Sequence, residues 1–140
     1  MLLRLTPDQI SDNWPLIKIV IDELLGEDEV RDIKILQLMI SEIMHVFSSY
    51  EKSSGKFEAV IITSFAFDEI VNQKSLIIYG LRAFNKISKN SWAEGFTGIQ
   101  NFAKGMKCQK IVAYTDEPLV VNLGKRFGFH NKSFIVKEIA

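Results

Sequence analysis

The sequence predicts an α/β (α+β) domain with a mixed, mostly antiparallel sheet and helices on both faces. Three observations indicate this class. Two segments near the N-terminus have apolar residues at helical spacing, three β-type runs follow one another, and the last third alternates helix and strand. The predicted order is β-α-α-β-β-β-α-β-α-β over a single domain, residues 1–140.

The N-terminal part begins with a short strand, Leu2–Leu5, and two helices. Asp12 and Asn13 offer caps for the first helix, which Gly26 closes, and the second helix starts near Asp28. Apolar residues recur every three or four positions on the side of each helix that we expect to be buried. They are Leu16, Ile17, Val20, Ile21, Leu24 and Leu25, then Val30, Ile33, Leu36, Ile40, Ile43 and Met44.

The middle of the chain changes to the composition of strands. Val46–Glu51, Phe57–Phe67 and Ser75–Phe84 are rich in β-branched and aromatic residues. Polar segments at Lys52–Lys56 and Asp68–Lys74 separate them. Three strands in antiparallel succession are the simplest interpretation.

The last third contains clear helix boundaries. Ser91 and Glu94 fit a capping box that starts a helix. Its apolar residues then hold the helical period: Trp92, Phe96, Ile99, Phe102, Ala103 and Met106.

A second strand–helix–strand succession follows that helix. Lys110–Thr115 is a predicted short buried strand, and Gly128 ends the next helix in a turn across which Phe129 packs back. Phe134–Ile139 is the predicted closing strand of the sheet.

Composition excludes several classes of function. Seventeen basic and seventeen acidic residues cancel, so the chain lacks the basic surface of a general nucleic-acid binder. Its apolar runs are far shorter than a membrane span, and we expect no membrane partner. One cysteine, Cys108, and two distant histidines, His45 and His130, give no metal-ligand spacing. The N-terminus turns polar at Pro7, unlike a signal peptide, which favours a cytoplasmic setting.

Two turns in the last third carry a resemblance to a known family. One ends the capped helix within Asn101–Ile111, and the other, Lys125–Phe129, reads Lys-Arg-Phe-Gly-Phe. Together with the order of elements, they make nearly the whole chain similar to the GNAT (Gcn5-related N-acetyltransferase) superfamily. The resemblance implies a GNAT-like fold and an acyl-CoA-dependent N-acyltransferase, with acetyl-CoA or another acyl-CoA as cosubstrate.

The resemblance also implies where the cosubstrate binds. In GNAT enzymes its diphosphate lies at the N-terminus of the helix after the fourth strand, where free N–H groups bind anions. The family's glycine loop falls on Ile87–Trp92, with Asn90 and Trp92 at its two glycine positions. Side chains there obstruct the close approach that glycine permits. The implied cofactor-binding residues are Lys86, Lys89, Asn90, Ser91, Trp92 and Ala93.

Two of these assignments have structural alternatives that the sequence leaves open. Trp92 is either a plug or stacking surface in the cosubstrate groove, or the first core residue of its helix, in phase with Phe96. Lys86, Lys89 and Arg82 form either an anion site or ordinary solvated surface.

The catalytic candidates are few. Many GNAT enzymes protonate the leaving thiolate with a tyrosine whose position here is Gly124. Glu69, between two strands, is a candidate base for the acceptor amine, and its alternative is an exposed acidic turn. Tyr114, like Tyr79, lies on a strand expected to border the acceptor cleft, and its alternative is half-buried packing.

Two functions from different classes follow. The first is a divergent N-acyltransferase that holds the diphosphate on the N–H groups from Ser91 to Glu94. The second is a non-catalytic binding or structural protein, because the altered positions resemble degenerate GNAT-like proteins encoded by phages. It would lie in the virion or host cytoplasm and bind a virion protein or a second copy, for which the edge strand Phe134–Ile139 is a candidate.

Overall fold

A computed structural model describes residues 1–115 and 118–139. Its five-stranded sheet has the order β1-β2-β3-β4-β5. Neighbouring strands are antiparallel except β4 and β5, which are parallel. The predicted mixed, mostly antiparallel sheet is confirmed. The strands are β1 Leu2–Arg4, β2 Met44–Tyr50, β3 Phe57–Asp68, β4 Gln73–Ala83 and β5 Lys110–Ala113.

Helices cover both faces of this sheet, as predicted. They are α1 Pro7–Asp12, α2 Trp14–Leu25, α3 Glu29–Ile40, α4 Lys89–Gly105 and α5 Pro118–Arg126. One buried cluster joins the first three helices to β2 and β3: Ile10, Ile17, Val20, Ile21, Met39, Val46, Val60 and Ile62. A second cluster lies under α4: Phe47, Ile61, Leu76, Ile99 and Ala103.

The short helix α1 was not predicted. Thr6 Oγ1 accepts the Gln9 N–H at 3.3 Å, and Gln9 Oε1 accepts the Thr6 N–H at 2.9 Å. Pro7 occupies the first helical position. A capping box followed by proline therefore starts the helix, and this pattern was visible in the sequence before the cap expected at Asn13.

The buried face of α3 differs from the predicted stripe. Val30 and Ile33 are 82% and 55% exposed, whereas Asp32 and Met39 are buried. The helix also ends at Ile40, so Ile43 and Met44 lie beyond it. The prediction was wrong because hydrophobicity alone located the stripe, and the buried side of α3 includes a carboxylate.

Asp32 is buried because cations from α2 and α3 surround it. Arg31 Nη2 lies 3.0 Å from Asp32 Oδ1, and Lys18 Nζ lies 3.4 Å from Oδ2. Lys18 also donates to Asp22 at 2.7 Å and pairs with Glu29 at 3.0 Å. These hydrogen bonds, led by the one to Asp22, raise the pKa of Lys18 above its ordinary value. The network ties the two helices together.

The predicted closing strand was wrong. Residues 131–139 form no strand, and Ile135 and Ile139 are 99% and 93% exposed. Near its start the Phe134 ring contacts Tyr114, with ring centres 5.4 Å apart. A β-type sequence pattern indicates a local preference for extended backbone. A strand forms only where a neighbouring backbone pairs with that segment.

His45 is a buried polar residue of β2. Its ring lies 4.9 Å from Phe65 and 5.1 Å from Phe102. Burial, together with the charges of Arg4 and Lys74, lowers the pKa of His45, although Glu42 acts in the opposite direction. The imidazole is therefore neutral inside the folded protein at pH 7.

Removing the Asp32 carboxylate tests the ion network. Asp32→Ala leaves Lys18 and Arg31 without their buried partner, and we expect a loss of about 2–3 kcal/mol in the free energy of unfolding, measured in urea. The matched control is Glu29→Ala, which removes another partner of Lys18, but one that is 76% exposed. A loss of about 0.5 kcal/mol or less is expected there. Equal losses would show that burial of Asp32 is unimportant.

Burial of His45 predicts an acid-sensitive stability. The unfolded chain takes up a proton near pH 6.5 while the folded chain resists it until lower pH. The contribution of neutral His45 is therefore complete above about pH 6.5 and is lost as pH falls toward the folded pKa. Urea unfolding at pH 7, 6 and 5 should show a steeper decline for the wild type than for His45→Gln. Parallel declines would contradict this.

Candidate active-site cleft

Strands β4 and β5 separate part of the way along the sheet. They pair from Ser75 opposite Lys110 to Ile78 opposite Ala113, where β5 ends, but β4 continues to Ala83. A bulge lies at the same point, because Ile62 of β3 pairs with Gly80 and Thr63 pairs with Ile78. Tyr79 is the extra residue. A bulge bends its strand and increases the twist, and this one lies directly after the last β4 residue that pairs with β5.

The separated strands open a cleft of about 280 Å³. Helices α2, α4 and α5, with the segment after α5, form its other walls. Its lining is mostly apolar and aromatic, with a few polar groups. The lining residues are Leu24, Ile78, Tyr79, Gly80, Leu81, Trp92, Phe96, Ala113, Tyr114, Thr115, Val120, Val121, Leu123, Gly124, Lys125, Phe129, His130 and Asn131.

Gly80 allows α2 to reach this cleft. A Cβ atom at Gly80 would overlap the Leu24 side chain. A larger residue at position 80 would therefore require the Leu24 side chain to move.

Aromatic rings form the wall between α4 and α5. The Phe96 ring stacks on Phe127 at 4.3 Å and meets Phe129 edge-on at 5.7 Å. Trp92 stacks on Phe96 at 6.2 Å. Trp92 is half-buried in this ring cluster and also lines the cleft. Its role in a cosubstrate groove stays a prediction.

The turn after α5 fixes one side of that wall. Gly128 has φ +87°, and the Phe129 N–H donates to the Gly124 carbonyl at 3.0 Å. This is the predicted glycine turn with Phe129 packed back across it. Gly124 lines the cleft and has no side chain that could donate a proton.

Helix α4 starts earlier than its predicted cap. Ser88 is the N-cap, and its Oγ accepts the Ser91 N–H at 3.1 Å. Ser91 is buried inside the first turn, and Glu94 lies 3.3 Å from the amino group of Met1. The predicted Ser91–Glu94 capping box was therefore wrong. Ser88 has the same chemistry three residues upstream.

The earlier start changes which backbone N–H groups can bind an anion. The Ser91 N–H bonds to Ser88 Oγ, and the Trp92 N–H bonds to the Ser88 carbonyl at 3.0 Å. Lys89 and Asn90 carry the first-turn N–H groups that make no hydrogen bond within the described chain. The N–H groups predicted to bind the anion, from Ser91 to Glu94, already make hydrogen bonds within the helix and its cap.

The other predicted site residues divide between the cleft and its surroundings. Tyr114 lines the cleft and is 64% exposed. Lys86, Lys89, Asn90 and Ala93 are exposed at the start of α4. Arg82 pairs with Glu23 of α2, and its guanidinium lies 4.7 Å from the Phe84 ring centre.

Glu69 does not reach the cleft. It lies in the exposed turn between β3 and β4, roughly 17 Å along β4 from Ile78 at about 3.4 Å per residue. The structure therefore does not bring Glu69 and Tyr114 together.

Sequence reasoning missed two residues near this site. His130 is exposed and lines the cleft with Tyr79 and Tyr114. Glu58 is 1% exposed, under the start of α4, where its Oε2 accepts the Ser88 N–H at 3.3 Å. The sequence contained one indication of Glu58, a carboxylate inside the apolar run Phe57–Phe67.

Within residues 1–115 and 118–139, no cluster of three histidine, cysteine or acidic side chains could hold a metal ion. No helix in these two ranges is long and apolar enough to cross a bilayer. Cys108 is a free thiol whose pKa is raised by burial, which does not favour a nucleophile.

Comparison by sequence gives no relatives: no family model and no curated protein matches the chain. Comparison by structure does find similar proteins. All of this chain and 97% of a probable acetyltransferase superpose with a TM-score of 0.76 at 10% identity. The same coverage holds for AAC(6')-Iy in complex with the bisubstrate analogue CoA-S-monomethyl-acetylneamine, with a TM-score of 0.74 at 11% identity.

A GNAT family acetyltransferase from Staphylococcus aureus gives a TM-score of 0.67 at 14% identity, covering 99% of this chain and 98% of that one. At such identities the likeness concerns the fold. The chain therefore has the fold of the GNAT acetyltransferases.

Proposed function

We propose that this protein is an acyl-CoA-dependent N-acyltransferase that works in the cleft between β4 and β5. The observation that carries the proposal is the position of α4: Trp92 and Phe96 line the cleft, and the first turn before them carries two N–H groups that make no hydrogen bond within the described chain. A structure with this fold holds a CoA bisubstrate analogue. A cytoplasmic setting stays a prediction.

The residues at the start of α4 fit a diphosphate in part. The N–H groups of Lys89 and Asn90 lie at the positive end of the helix dipole, and Lys86 and Lys89 add two exposed cations. The wall of Trp92 and Phe96 leaves less room than glycine would. We therefore expect acyl-CoA to bind weakly, with its diphosphate at Lys89 and Asn90 instead of the predicted Ser91 to Glu94.

Acyl-CoA supplies an activated thioester, and the chain supplies orientation and proton transfer. The cleft presents an amine to the thioester carbonyl, so that a C–N bond forms and the C–S bond breaks. His130 and Tyr114 both line the cleft. In this proposal His130 accepts the amine proton, and Tyr114 offers a hydroxyl. Because Gly124 offers no acid, the leaving thiolate takes its proton from Tyr114 or from water.

Thiol release tests this function. The protein is incubated with acetyl-CoA and, in turn, a small primary amine, a peptide with a free N-terminus and an amino sugar, and free CoA thiol is measured over time. Release above the no-protein rate with at least one amine, lowered by His130→Gln, is the expected result. No release, together with no heat on titration with millimolar acetyl-CoA, would contradict the function.

Lys89→Pro tests the binding of acyl-CoA separately from acyl transfer. Proline is tolerated at the first helical position, and Ser88 before it is already extended with ψ 158°. The substitution removes one N–H group and one cation, whereas the control Lys89→Ala removes only the cation. Calorimetry should show acetyl-CoA binding about tenfold weaker in Lys89→Pro than in Lys89→Ala. Equal affinities would place the diphosphate elsewhere.

The second candidate is a non-catalytic binding protein that uses the same fold. Two observations favour it: Gly124 stands in the cleft, and the rings of Phe96 and Phe127 occupy the space between α4 and α5. A phage or virion setting with a protein partner remains a prediction. Under this candidate, the cleft binds an aromatic or apolar group and no thiol is released with any amine.

A further inference from the structure

Glu58 is a buried carboxylate without a cation. It is 1% exposed, and no ion pair to it is found within residues 1–115 and 118–139. Its polar contacts are Ser49 Oγ at 3.5 Å and the Ser88 N–H at 3.3 Å. A buried carboxylate needs compensation of some kind, and here the group that faces it is the start of α4.

A second bulge in the sheet brings Glu58 to this position. Ser49 of β2 pairs with Ala59 and Tyr50 pairs with Phe57, so Glu58 is the extra residue of β3. The bulge interrupts the regular alternation of side chains along the strand.

The backbone of Glu58 also holds the loop between β4 and α4. Its carbonyl accepts the Phe84 N–H at 2.8 Å and the Asn85 N–H at 3.3 Å. Through its side chain it holds Ser88, and thus the cap of α4, as well. One residue therefore fixes both ends of the loop that leads to the unbonded N–H groups of Lys89 and Asn90.

We propose that Glu58 is the positioning residue of this loop and that its charge limits how tightly the loop binds a diphosphate. A carboxylate beneath the start of α4 offsets part of the positive potential at the N-terminal end of the helix dipole. It also repels an anion placed on Lys89 and Asn90, and the buried surroundings weaken the screening of that repulsion. The proposal rests on the proposed function for the position of the diphosphate.

Two substitutions separate the two roles of the side chain. Glu58→Gln keeps an oxygen acceptor for the Ser88 N–H and the shape of the side chain, but removes the charge. Glu58→Ala removes the charge and the acceptor, which frees the cap of α4. The backbone bonds to Phe84 and Asn85 remain in both variants.

The probes are inorganic pyrophosphate and CoA, titrated calorimetrically into each variant at low salt. We expect Glu58→Gln to bind both about 3- to 10-fold more tightly than the wild type, with a smaller difference at high salt. Glu58→Ala should bind them more weakly than Glu58→Gln. The control Asp12→Asn makes the same change in net charge at an exposed position on α1, on the other face of the sheet. It should leave both affinities unchanged.

Unchanged affinity in Glu58→Gln would overturn the effect of charge, and equal affinities of the Gln and Ala variants would overturn the positioning role. Should the alanine variant fail to fold by circular dichroism, the Gln variant and its salt dependence still decide the proposal. Tighter pyrophosphate binding without thiol release in any variant would reject the proposed acyltransferase and keep this inference. Thiol release together with unchanged affinities in Glu58→Gln would support the proposed acyltransferase and overturn this inference.

Discussion

The bulge at Tyr79 determines where the parallel pair of β4 and β5 comes apart, and the candidate site depends on that point. If β4 had continued in register with β3, its last residues would run beside the chain that follows β5. The extra residue lies directly after the last β4 residue that pairs with β5, and Leu24 of α2 packs against the neighbouring Gly80. The ends of α2, α4 and α5 then border one cleft. Two local irregularities therefore create a space that a regular sheet would close.

Much of this architecture could be predicted from the sequence because local patterns and long-range packing agree. The three central strands, α4 with its apolar period, and the glycine turn at Gly128 each occur where the pattern indicated. Phe134–Ile139 shows the limit, because strand formation requires a partner that a local pattern does not reveal. The buried side of α3 shows another limit: Asp32 is buried through cations on two helices, and no hydrophobic period predicts such a network.

The candidate site was less predictable than the fold. Tyr114 and Trp92 were identified through positions on elements that the sequence defines well. Glu69 was assigned by its place between two strands, and hairpin geometry puts it at the far end of β4. His130 follows the predicted turn at Gly128, but the sequence does not show which cleft that turn borders. Glu58 comes to the start of α4 through a bulge in β3, which the spacing of residues along the chain does not reveal.

Phe134–Ile139 leaves apolar side chains in water: Ile135 and Ile139 are 99% and 93% exposed. In the described part of the chain β5 pairs with β4 alone, so its outer edge carries N–H and C=O groups that no other strand pairs. These are the two components of intermolecular sheet extension, and natural proteins usually separate or cover them. The apolar segment lies outside the two buried clusters, so its side chains stay in water instead of adding to either core.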